Sequence, residues 1–363
     1  MHYDRRFGAA AGARRRALAG PASSRSPPHD FAARARRETW HIRRMSARAW
    51  LAFAAVSVLW GIPYLFIRVA VDGGMPPIFL AWSRVTAAAV VVGAMAWRAG
   101  VLPSVRGRLR WLLAYAVLEI AVPFPLIAAG ERHVASSLAA IIVAAVPLII
   151  ALLALRFEPS ERVDRRRLIG LLIGFVGVLA LVGIDVAGRA GELLGAGAIL
   201  LAAVGYASGP MVQNRHLRDL DPRAMMAAAL ARAALVLTPA AVLSTPARSP
   251  SPAALIAVVV LVVFCTVAAF LIYVTLVTEV GPGRAAVITY VAPVLAVGRG
   301  VAGLGEHPGA GAIAGLLLIL AGSWLSTDGR LPPGLTRLLA RLSRRPTSEP
   351  TPEREPTIDA LRG

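Results

Sequence analysis

VASSLAAIIVAAVPLIIALLAL at 134–155, followed after a basic connection by LIGLLIGFVGVLALVGI at 168–184, decides the class of fold. Neither run alternates polar and apolar residues as a barrel strand must, and neither carries the polar face that a surface helix turns to water. A run of about 20 mainly apolar residues is the length a helix needs to cross the hydrocarbon layer, where only helices and closed barrels satisfy their own backbone groups. Working outward, comparable runs lie at 50–71, 78–97, 111–130, 193–213, 224–243, 253–278, 284–304 and 309–327. The expectation is therefore an all-α integral membrane protein with ten transmembrane helices.

Composition agrees. Hydrophobic residues are 57% of the 363 positions and charged residues 16%, too few to cover a water-exposed surface. The +19 charge does not point to nucleic acid, because the 39 basic residues are all arginines gathered in tails and short connections. Twelve of them fall within 1–48, an Arg-rich stretch without a signal-peptide core, which predicts a disordered extension. Met45 offers an alternative start immediately before the first apolar run. The single cysteine, Cys265, lies within a run and reads as packing.

Cytoplasmic connections retain arginine, and alternate connections here differ sharply. One set carries Arg106, Arg108 and Arg110, then Arg162, Arg165, Arg166 and Arg167, then Arg215, Arg218 and Arg223, with Arg330, Arg337 and Arg341 in the tail. The other carries only scattered charges, among them Asp72, Arg132, Asp185, Arg189, Arg248 and Glu306. This bias predicts a cell-membrane protein with both termini in the cytoplasm, as an even number of spans requires.

Sliding the chain against itself by an offset of 146 sets Trp60 on Tyr206, Pro76 on Pro222, Val134 on Val280 and Pro147 on Pro293. At an offset of 145, Glu161 meets Glu306 and Gly170 meets Gly315. Five spans per repeat is an odd number, so the second half, 192–327, enters the membrane in the opposite sense from the first, 49–184, with a tail at 328–363. Two inverted five-helix repeats around a shared midplane site are the construction of many secondary transporters.

In these segments the chain resembles the drug/metabolite transporter superfamily, specifically members with two EamA domains. The resemblance rests on LWGIPYLFIR at 59–68, on Pro77 and Arg84, on residues 135–181, on GPGRAAVITYVAPVLAV at 281–297 and on LGEHPGAGAIAGLLLILAG at 304–322. It implies a ten-helix bundle that moves small organic metabolites by alternating access, commonly by export and often in exchange for protons. RFEPSERV departs from the family's usual leucine-glycine-glutamate ending of the fourth span and leaves Glu158 and Glu161 as rival equivalents, repeat spacing favouring Glu161.

A charge deep in a span costs about 2.5–3.5 kcal/mol on insertion scales, so it needs a partner, a wet cavity or a route to the interface. Arg68 and Arg299 lie near span ends and read as snorkelling side chains. Arg84, Glu119 and Arg232 lie deeper. Glu119 precedes Pro123 and Pro125, whose missing N–H groups free carbonyls, and it reads either as a proton-exchanging carboxylate or as a static partner of Arg84 or Arg232. Trp60, Gly61, Pro63 and Tyr64, with the repeat counterparts Tyr206, Gly209 and Pro210, read as paired helix breaks lined by aromatic rings, or as kinked packing. Tyr273 and Tyr290 are candidates for the same cavity in the second half. Glu161 and Glu306 read as helix-end anchors, and GLLIG at 170–174 as a close helix–helix approach.

The six dispersed histidines and one cysteine show no metal-ligand spacing, and no phosphate loop or nucleophile motif appears, which argues against an embedded enzyme. The reading is an exporting carrier without a cofactor; a channel built from a similar bundle, or an uptake permease, is the alternative. Expected partners are a small-molecule substrate, the bilayer and protons.

Overall fold

A computed structural model describes residues 46–157, 165–186, 189–280, 285 and 287–326. The two tails, together with Glu158 and Glu161, lie outside the described residues. Every element among them is helical.

Eight helices are long and apolar enough to span a membrane: α1 Ala47–Asp72, α2 Pro77–Arg98, α3 Leu109–Gly130, α4 Ser136–Leu153, α5 Leu168–Asp185, α6 Ala190–His216, α7 Pro222–Leu243 and α8 Pro252–Val280. Two shorter apolar helices follow, α9 Ile288–Leu304 and α10 Ala310–Leu325. At 1.5 Å per residue, the 17 residues of α9 reach about 25 Å, short of the hydrocarbon thickness of about 30 Å. Among the described residues eight helices thus reach the length of a full span, and the ten that hydropathy predicts include α9 and α10, whose described parts are shorter.

Local breaks follow from particular residues. Pro63 has no N–H to continue a ladder, so α1 stops at Gly61, turns at Ile62 and restarts with Pro63 in its first turn. The corresponding break in α6 is absent: the helix runs from Ala190 to His216 with Pro210 inside it. Its packed neighbours hold the segment helical, and Pro210 simply gives no N–H to the Tyr206 carbonyl one turn back. In α3 the chain widens into a π-turn at Val117–Ala121 just before Pro123, and Val122 donates to the Val117 carbonyl at 3.0 Å. A second π-turn occupies Val263–Ala268 in α8. The two turns begin at Val117 and Val263, positions that coincide when the chain is slid by the main offset of the sequence repeat.

The helices pack in matched pairs. α2 lies against α7, α4 against α9 and α5 against α10, while α1 contacts α8 and α9 much as α6 contacts α3 and α4. Small residues permit the closest of these approaches. A Cβ on Gly322 would strike the Gly170 carbonyl and the Gly174 backbone, and one on Gly177 would strike Leu318 and Ile319, so the GLLIG segment is a seam between α5 and α10. A Cβ on Gly61 would likewise meet the backbone of α9 at Ala292. Outward faces carry large exposed apolar side chains such as Leu172, Leu201, Leu235 and Ile256, as lipid contact requires.

Candidate functional site

The π-turns and the α1 break place polar side chains where a regular apolar helix would have none. Arg84 of α2 is 8% exposed, and its Nε donates to Thr266 Oγ1 of the α8 π-turn at 2.9 Å. That hydroxyl donates in turn to the Leu261 carbonyl at 2.8 Å. The Phe124 ring of α3 covers the guanidinium at 4.3 Å, so cation–π attraction replaces part of its lost hydration. Neither terminal nitrogen of Arg84 has a hydrogen-bond partner among the described residues, which leaves both able to donate to a ligand.

Glu119 of the α3 π-turn lies against the Cα of Gly209 in α6, where any side chain at 209 would overlap the carboxyl. Its Oε2 is enclosed and has no partner. Among the described residues Glu119 forms no ion pair with Arg84 or Arg232, so the static pairing weighed from sequence is absent from this conformation. Desolvation explains why such a position is rare: a buried carboxyl without a donor gives up strong hydration for nothing in return.

Tyrosines join the two charges. Tyr64, Tyr206 and Cys265 are within electrostatic reach of Arg84, and Tyr115, Tyr206 and Tyr273 within reach of Glu119. Trp60 meets Tyr273 with ring centroids 4.8 Å apart and planes inclined at 43°. The break in α1 at Ile62 falls between Trp60, which packs against Tyr273 of α8, and Tyr64.

Arg232 donates to the Ala228 carbonyl of its own helix at 3.0 Å. The Tyr290 hydroxyl donates to the Ser323 carbonyl of α10 at 3.4 Å. Arg68 differs from expectation. Its guanidinium donates to the Glu131 carbonyl at 2.6 Å, the Val134 carbonyl at 3.3 Å and Asp72 at 2.7 Å, so it ties the α3–α4 elbow to α1 instead of reaching to headgroups. Its three acceptors are close by, and partial exposure makes bonding to them better than extending outward. Arg299 is exposed.

Glu306 is a helix-end anchor. Gly305, at φ +65°, turns the chain after α9, and the carboxylate beyond it accepts from Ser136 N, Ser136 Oγ and Ser137 N at 2.7, 2.8 and 2.9 Å, at the start of α4. Burial alone would raise its pKa, but these hydrogen bonds win and hold it below the ordinary carboxylate value. Asp185 makes a similar contact with Ala312 N in α10. Sequence reasoning did not single out Phe124, Thr266 or Tyr115 for this site. Glu119 was the available signal: it lies in a π-turn ahead of two prolines, and the repeat carries a matching turn from Val263 but no carboxylate within it.

The family model described as EamA-like transporter family matches residues 47–183 and again 193–327. The chain belongs to the EamA-like transporter family. It is 31% identical over 263 residues to the uncharacterized inner membrane transporter YedA of Escherichia coli (strain K12), covering 69% of this chain and 82% of that protein. It is 32% identical over 135 residues to protein PagO of Salmonella typhimurium (strain LT2), covering 37% of this chain and 43% of that protein. A solved crystal structure at 21% identity superposes with a TM-score of 0.56 over 81% of this chain and 98% of the other, a likeness of fold. As an EamA-like protein with several membrane-spanning helices, the chain is a multi-pass membrane transporter.

Proposed function

We propose that the protein is a secondary active transporter that exports a small organic metabolite by alternating access, with protons as the coupling ion. The observation that carries this reading is the pair of buried ionisable groups, Arg84 and Glu119, each without a charged partner among the described residues and set among aromatic side chains drawn from α1, α3, α6 and α8. Unmatched charges inside an apolar bundle are costly, and a substrate or proton that satisfies them in one conformation gives them a use. Arg84 would hold an anionic or carbonyl group, Glu119 would carry the proton, and Trp60, Tyr64, Tyr206 and Tyr273 would contact the organic body. The substrate is taken to be a small molecule and the location the inner membrane, as the name of YedA suggests.

The same reading takes α9 and α10 as spans and the molecule as two inverted halves of five, 49–184 and 192–327, with both ends of the chain in the cytoplasm. Matched helix pairs, and two π-turns at equivalent places in the repeat, support it. Fusion reporters at Gly188 and Gly329 test the topology: an external signal at the first and a cytoplasmic one at the second are expected, and the reverse at either site rejects it.

Proteoliposomes screened against metabolite classes, with and without a proton gradient, test the transport mechanism. Saturable counterflow is expected, and unsaturable conductance would indicate a channel. Glu119→Gln should retain exchange of substrate between the two sides but lose accumulation driven by the gradient. Intact proton-driven accumulation in that variant would remove Glu119 from the coupling role.

A further inference from the structure

Glu131 is a second buried carboxyl outside the central cluster. It follows Gly130, the last residue of α3, in a connection where a carboxylate would ordinarily face water, yet it is 0% exposed and neither of its carboxyl oxygens has a hydrogen-bond partner. Its backbone is fully engaged: the N–H donates to the Ile127 carbonyl at 2.9 Å, and the carbonyl accepts from Arg68 at 2.6 Å. The elbow is closed from the other side by α6, where a Cβ on Gly130 would overlap Ile199 and Gly195.

The charged groups around it are already committed elsewhere. From α1, Tyr64 faces it, and Arg68 is bound to Asp72 at 2.7 Å. From the α9–α10 turn, Glu306 points its carboxylate at Ser136 and Ser137. On its own connection lie Arg132 and His133, and at the start of α6 Arg189 pairs with Glu192 at 2.8 Å. Arg68 is the cation within reach, and its charge is directed at Asp72, which is 56% exposed.

We propose that Glu131 is a proton-binding site, and that gain or loss of its proton decides whether Arg68 bridges to Asp72 or turns onto Glu131. Holding the proton, Glu131 is neutral and tolerates its dry surroundings, and Arg68 remains with Asp72 and the two elbow carbonyls. When the proton leaves to water, the bare carboxylate needs a counter-charge, and the Arg68 guanidinium is at hand. Arg68 then releases Asp72, its partner one turn along α1, and adds the Glu131 carboxylate to the contacts by which it holds the α3–α4 elbow. Burial pushes the Glu131 carboxyl well above the ordinary carboxylate value, Arg68 pulls against this, and the charges of Glu306 and Asp72 push further up. The site therefore loses its proton as pH rises through a range where surface carboxylates are already ionised.

Infrared pH-difference spectra of the full chain in phosphatidylcholine vesicles test this without knowledge of the substrate or of the part Glu119 plays. The protonated-carboxyl signal at neutral pH should lose in Glu131→Gln a component that Glu119→Gln retains. In Asp72→Asn, a change at an exposed position, Arg68 is free to face Glu131, so the titration of that component should move down by about one to three pH units. An unchanged carboxyl spectrum in Glu131→Gln overturns the proton site. A titration that stays in place in Asp72→Asn overturns the exchange of Arg68 between its two partners, and it does so even if Glu131→Gln fails to fold.

Discussion

Replacing Glu306 by alanine removes the acceptor for three hydrogen bonds of 2.7, 2.8 and 2.9 Å from the start of α4. The donors cannot turn to water, since Ser136 is 1% and Ser137 2% exposed. A hydrogen bond to a charged acceptor contributes about 1.5–3 kcal/mol, and a buried donor left unmade costs about 1–3 kcal/mol. Because one carboxylate serves all three donors, the losses do not simply add, and a total of about 3–5 kcal/mol is expected. Glutamine keeps one acceptor oxygen but brings N–H groups up to N–H donors, so Glu306→Gln should lose roughly half as much. Unfolding of the purified protein by increasing SDS in mixed micelles, followed by tryptophan fluorescence, measures both. The pH dependence has a definite sign. The folded carboxyl sits below its unfolded value, so its contribution is complete above the pH at which an unfolded glutamate ionises, and it is lost as pH falls through the lower folded value. Wild type and Glu306→Ala should converge there. A difference below about 0.5 kcal/mol at neutral pH, or one that persists undiminished in acid, would refute the anchoring role.

Gly322→Val should weaken the α5–α10 seam by at least about 2 kcal/mol, because the new side chain meets backbone that cannot move aside. Gly197→Val, with open space around its Cβ, is the matched control and should shift the same SDS midpoint far less. Trp60→Ala removes the ring that meets Tyr273 and should weaken substrate binding in counterflow; the aromatic pair alone is worth about 0.5–1.5 kcal/mol. Trp60→Phe should retain most of that binding, and equal loss in both would argue against ring contact. Arg84→Lys keeps the charge but not the planar geometry that meets both Thr266 and Phe124, so transport should fall at least tenfold with the protein still folded, and full activity would remove Arg84 from the site.

Much of the architecture was legible because a bilayer tests sequence harshly. Continuous apolar runs announced the helices, and the glycines at 170 and 174 announced a close approach that the structure assigns to α10. Glu119 stood out by its depth and by the two prolines that follow it. What could not be read was the direction in which each side chain points. A soluble helix reveals its inward face by polarity, but a helix that is apolar all round offers no such contrast, so the sequence gives no direction for Tyr206, Tyr290, Arg84 or Arg232.

From the chain alone came the membrane-spanning helices, the duplicated pattern of prolines and aromatic residues, and the short catalogue of buried charges. Only tertiary packing decided which of those charges meet in one cluster: Arg84 bonds to Thr266 across 182 positions of sequence, and Glu131, which a connection should leave in water, is enclosed. The reason is that apolar content sets where a segment resides, whereas the rotation of each helix and the depth of each elbow are set by steric fit between neighbours, which no single segment encodes.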